Sequence, residues 1–331
     1  MITKKPFLYI AIAAAVLAFG VVMLGAYVRL SQAGLGCPDW PGCYGHMAVP
    51  SSSEVNSTLL AARPLEPARA WKEMIHRYFV GALSTLIFAL GVLAFWRRRQ
   101  ADQPKLLPGL LLLLLILQAL LGMWTVTLLL FPPVVTAHLL GGLATFSLLV
   151  LLVLQSGAYL KLGAAATDGM RRLAAVSLVV LICQIALGGW VSSNYAAIAC
   201  PDFPTCQGSL WPPAMDFVSG FSWHGVGADY QGGILANPAR MAIHMTHRLG
   251  ALITFLILGF TSFDIALRAR DWMLRAVAGM VGALLLTQIA LGISLVELGW
   301  PLAVADLHNG VAASLLGGVV TLNWAVNTGR R

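Results

Sequence analysis

Residues 106–128 read LLPGLLLLLLILQALLGMWTVTL, without one charged side chain. A helix of that length crosses the roughly 30 Å hydrocarbon core of a bilayer. Outward from it, seven further apolar segments follow, at about 8–29, 71–95, 135–157, 173–193, 240–263, 276–297 and 303–325. The composition agrees. The 331 residues are 59% hydrophobic and 10% charged, with a mean hydropathy of +0.81. Soluble globular proteins are about 25% charged, so this chain cannot cover a water-facing surface. A soluble enzyme, a disordered protein and a secreted disulfide scaffold are excluded, which leaves a polytopic membrane protein. The first segment follows Lys4 and Lys5 as a signal peptide would, but its apolar run is too long for one.

The loops predict orientation. Lys4, Lys5, Arg97, Arg98, Arg99, Lys105, Lys161, Arg171, Arg172, Arg268, Arg270, Arg275, Arg330 and Arg331 fall on one side if the chain crosses eight times. They are 14 of the 21 Lys and Arg residues. By the positive-inside rule that side is the cytoplasm, and both termini lie there. The opposite side carries two long loops, about 30–70 and 194–239. The net charge of +8 is therefore a topology signal, and nucleic acid is not an expected partner.

The chain also repeats itself. Leu24, Gly25, Cys37 and Cys43 return as Leu187, Gly188, Cys200 and Cys206, all offset by 163. The loop text CPDWPGC becomes CPDFPTC, and His76-Arg77 returns as His247-Arg248. Gln118, Gly122 and His138 return as Gln288, Gly292 and His308, offset by 170. The expected fold is all-α: eight transmembrane helices forming two tandem four-helix bundles. Four is even, so both bundles run the same way, related by a pseudo-two-fold axis along the membrane normal. Residues 1–158 form the N-terminal half, 159–172 a cytoplasmic linker and 173–331 the C-terminal half.

Five of seven histidines, His76, His138, His244, His247 and His308, lie in spans; His46 and His224 lie in outer loops. Ionisable groups inside a membrane are costly and are usually functional. Four of the five are repeat-related and fall at one depth near the outer face. Neutral imidazole is the commonest metal ligand, and two helices offering one His each across a bundle suit haem. The expected pairs are His76 with His138 and His247 with His308. Zinc suits them less, since two His leave its tetrahedral shell unfilled. A hydrogen-bonded packing role and a proton relay are the other readings.

Glu73 lies one turn before His76, where the second half has His244. An acid in an apolar pocket suits proton transfer; complementing the helix dipole is its bland alternative. Arg77 and Arg248 follow the paired histidines and are candidates for haem propionates or for snorkelling to the interface. Asp306 and Glu297 are candidate partners of His308. Cys37, Cys43, Cys200 and Cys206 sit in outer loops as two C-x5-C pairs with internal prolines. That spacing favours two local disulfides, for stapling or for redox work, over zinc. Cys183, within a span, reads as a packing residue.

With LGAYVRLSQAGLGCPDWPGC, EMIHR, TAHLLGG, IHMTHR and LHNG in place, the chain resembles the haem A synthase family over nearly its whole length. The resemblance implies an oxidoreductase that turns one ring methyl of haem O into a formyl group, giving haem A for terminal oxidases. It implies substrate haem at His76 and His138, haem b iron at His247 and His308, and Glu73 as the catalytic acid. It ties Cys37–Cys43 most closely to function, leaves His244 a candidate for supporting the ligands or a propionate with its role open, and implies the bacterial cytoplasmic membrane. A haem O synthase and an oxidase assembly factor are candidate partners and a homo-oligomer is a candidate assembly; the electron acceptor stays open. Two competing readings are a di-haem electron carrier and a haem transfer or assembly factor.

Overall fold

The computed structural model describes residues 5–55, 58, 60, 63–99, 104–157 and 166–328. Lys4, Lys161, Arg330, Arg331 and linker positions 159–165 lie outside the described residues. Among those described, eight helices are long and apolar enough to cross a membrane. They are α1 (Lys5–Leu30), α2 (Pro67–Trp96), α3 (Leu106–Thr127), α4 (Pro132–Ser156), α5 (Asp168–Ser193), α6 (Asn237–Arg268), α7 (Trp272–Glu297) and α8 (Leu302–Asn327). The chain is a multi-pass all-α membrane protein.

Most helices begin before their apolar windows, because their first turns are set by caps. Pro opens α2, α4 and α6 at the first turn, where its missing N–H has no intrahelical partner to lose. Thr167 accepts from Met170 N at 3.3 Å to start α5. Asp271 accepts from Met273 N at 2.7 Å to start α7.

Each half closes a ring: α1 packs on α2 and α4, and α3 bridges α2 to α4; α5–α8 do the same. Across the halves α1 meets α8 and α4 meets α5, contacts that exchange when one half replaces the other, and α4 meets α8. In lipid no hydrophobic force separates helices from solvent, so close packing and interhelical hydrogen bonds hold them. Ala11, Ala14 and Ala18 of α1 are fully buried or nearly so beside Ile87, Leu90, Leu111, Leu149 and Leu152. Ser177 Oγ donates to Thr261 Oγ1 at 2.9 Å, and Asn323 Nδ2 to Ala174 O at 2.8 Å. Large residues such as Phe88, Leu113, Val179 and Phe263 stay exposed on the outer face. Cys183, expected to pack, is exposed there too. In a span apolar all round, periodicity does not show which side is buried.

Candidate haem sites

Both outer loops fold alike. Cys37–Cys43 and Cys200–Cys206 are disulfide-bonded. Inside the first ring Asp39 accepts from Tyr44 N at 2.6 Å and Gly45 N at 2.7 Å. Inside the second Asp202 accepts from Gln207 N at 2.6 Å and Gly208 N at 2.9 Å. The Thr205 hydroxyl, then the Gly208 and Gln207 amides, hold the Asp202 carboxyl below the usual carboxylate range.

The arginines beside the paired histidines belong to these loops. Arg77 Nη1 donates to Asp39 O at 3.0 Å, Pro41 O at 3.2 Å and also to Gly42 O. Its Nη2 pairs with Glu73 Oε1 at 3.1 Å. Arg248 donates to Thr205 O at 2.7 Å, Asp202 O at 2.9 Å and Cys200 O at 3.2 Å, and its Nε to His244 Nε2 at 3.3 Å. Both guanidiniums clamp a disulfide loop onto a helix. That leaves few donors for the propionates expected at these positions. Glu73–Arg77 and His244–Arg248 are the same i, i+4 arrangement with the acid exchanged. His244 is buried edge-on to Trp300, with ring centroids 5.7 Å apart.

Because α2 starts at Pro67, His76 lies about two and a half turns inside it. Four glycines seat the four paired histidines. A Cβ on Gly25 would stand 3.0 Å from His76 Cε1, and one on Gly122 3.3 Å from His138 Cε1. On Gly188 and Gly292 it would stand 3.2 Å from Cε1 of His247 and His308. Each imidazole therefore lies against the bare backbone of the preceding helix.

The halves differ in what surrounds these rings. In the N-terminal half a cavity of about 650 Å³ opens between them, lined by His76, His138, Gly25, Gly122 and Glu73. The Nδ1 atoms of His76 and His138 are buried without a hydrogen-bond partner. In the C-terminal half, glutamines fasten the rings. Gln184 Nε2 lies 3.1 Å from His247 Nδ1 and donates to His247 O at 3.1 Å. Gln288 Nε2 lies 3.1 Å from His308 Nε2. The expected partners Asp306 and Glu297 make no hydrogen bond to His308; Asp306 Oδ1 is buried without a partner. Gln288 was visible as a repeated residue. Gln184 was not, because its counterpart is Val21.

The donor sets suit haem: paired imidazoles from facing helices, a roomy apolar cavity beside His76 and His138, and ring nitrogens lacking protein partners. At His308, as at His76 and His138, the buried nitrogen without a partner is Nδ1, while Gln288 lies against Nε2. Among the described residues, no three His, Cys, Asp or Glu side chains gather as a metal cluster; the ligands stand as pairs.

A seat this tight makes a prediction. Gly25→Ala should favour the helix by about 1 kcal/mol yet push against His76. Overpacking of that kind costs about 1–3 kcal/mol, or roughly five- to a hundredfold in affinity for a ligand that needs His76 in place. A spectral titration of haem into the purified variant, beside the wild type, reads it.

The same arrangement has relatives. The family model described as "Cytochrome oxidase assembly protein", COX15-CtaA, matches residues 8–320. A heme A synthase of Shewanella oneidensis is 44% identical over 309 residues, covering 92% of each chain. Heme A synthases of a Chelativorans species and of Halalkalibacterium halodurans are 26% and 25% identical, over 94% and 87% of this chain and 88% and 86% of their own. A family model spanning eight helices, both disulfide loops and all four seated histidines leaves one conclusion: this chain belongs to the COX15-CtaA family of cytochrome oxidase assembly proteins.

Proposed function

We propose that the chain is a haem A synthase, an oxidoreductase that converts a ring methyl of haem O to the formyl group of haem A, with a division of labour between its halves. Residues 1–158 take the substrate, haem O, with His76 and His138 as its iron ligands. Residues 173–331 hold haem b through His247 and His308, and 159–172 link the halves on the cytoplasmic side. The halves are related by a pseudo-two-fold axis, which the exchanged α1–α8 and α4–α5 contacts support. The bacterial cytoplasmic membrane is the location, with both termini inside, supported by the basic residues at one end of the bundle.

One observation carries this reading: the cavity lined by His76 and His138 has an acid on its wall. Glu73 lies beside His76 in the cavity lining, and its counterpart is His244. Its carboxylate is oriented by Arg77 and so, through the clamp, by the Cys37–Cys43 loop. Placed there, Glu73 holds or takes up a proton as the methyl carbon is oxidised. Removing electrons in sequence from an unactivated methyl needs a redox partner, and haem b, when bound, would supply one-electron chemistry there. The glutamines at His247 and His308 keep those ligands in place. A di-haem electron carrier would want its two sites held alike, and these are not.

Pigment extraction tests the function. Protein purified from cells able to make haem O should yield haem b with substoichiometric haem O or haem A on acid-acetone extraction and chromatography. Haem b alone would overturn the enzyme reading.

A further inference from the structure

The cavity contains a cation that the proposed chemistry leaves unused. Arg29, in the last turn of α1, lines it together with His76 and His138. It stands one turn, about 6 Å, beyond Gly25, the seat of His76. A guanidinium offers five N–H donors. Here Nη2 donates to Ser192 O at 2.7 Å and more distantly to Ser193 O at 3.5 Å, and Nε is buried without a partner. The guanidinium lies 4.2 Å from the centroid of the Tyr195 ring.

No carboxylate balances it. None of the ion pairs among the described residues includes Arg29. Glu73, the acid on the cavity wall, is paired with Arg77 at 3.1 Å. The α5 carbonyl oxygens and the Tyr195 face offset part of its charge, but a cation with its Nε buried and unpartnered remains costly without an anion. The repeat sharpens the point. Arg29 corresponds to Ser192, at the same offset of 163 that relates the cysteines. The C-terminal half has no cation there.

We propose that Arg29 receives a propionate carboxylate of the substrate haem and sets the face and rotation in which the ring enters the N-terminal cavity. This rests on the cavity being the haem O site. The spare donors form charge-assisted hydrogen bonds to the carboxylate. They fix which ring edge, and so which methyl, faces Glu73. Arg77, whose donors are engaged by the loop and by Glu73, cannot do this as well.

The test compares haem O with its dimethyl ester, in which the carboxylates are masked, by spectral titration of the detergent-purified chain carrying its haem b. Wild type should bind the diacid roughly ten- to a hundredfold more tightly than the diester. Arg29→Gln should lose that preference by weakening the diacid alone, and Arg29→Lys should keep part of it. If Arg29 only staples α1 to α5, Arg29→Gln will weaken both ligands equally, and that outcome overturns the proposal. Equal binding of both ligands by the wild type overturns it without any variant. If haem O binding is instead insensitive to His76→Ala, the reading of the cavity itself fails, which is a separate result.

Discussion

Glu73→Gln should leave a folded protein that retains haem b but makes haem A at least about a hundredfold more slowly, the scale of general acid–base catalysis. Glutamine matches the carboxylate in size and can still accept from Arg77. The loop clamp should survive, since Arg77 also donates to Asp39 O and Pro41 O at 3.0 and 3.2 Å. The change removes the charge and the transferable proton and little else. Haem O should therefore accumulate in the N-terminal cavity, and its ratio to haem A in the extracted pigment is the measurement. Normal turnover by this variant would remove Glu73 from the chemistry.

His247→Ala should have the other large effect, on the opposite half. Loss of a residue that only supports a metal ligand typically costs ten- to a hundredfold in affinity, so loss of a ligand should cost at least about a hundredfold. The purified variant should lack haem b and make no haem A, while haem O titrated into the N-terminal cavity still binds. His244→Ala is the control. It lies one turn away against Trp300 and Arg248, and it should keep haem b. If His247→Ala retained haem b and His244→Ala lost it, the ligand assignment would be reversed.

The two experiments ask different questions because the two halves are unlike in the places that matter. The Gly–His seats are shared between them. Glu73, Arg29 and most of the cavity lining belong to one half, and the glutamine contacts to both rings to the other.

How much of this was legible in the chain follows from which forces act locally. Eight spans, two halves, the disulfide pairs and the four seated histidines could be read from residues 106–128, from CPDWPGC and CPDFPTC and from the repeated His and Gly positions. Hydrophobicity and covalent spacing are properties of short segments, and duplication leaves its mark at a fixed offset. The helix starts at Pro67 and Asp168 were missed because polar first turns fall outside an apolar window. The exposure of Cys183, the Gln184–His247 contact, the service of Arg77 and Arg248 to loop carbonyls and the meeting of Arg29 with Ser192 were beyond the sequence alone. A span that is apolar on every side carries no signal of which face meets lipid. A guanidinium reaches whichever carbonyls the fold brings within hydrogen-bond range. The sequence by itself determined the membrane class, the duplication and the candidate ligands. Only the tertiary structure decided which half has the cavity and what each arginine holds, because those depend on helices packing against neighbours far away in the chain.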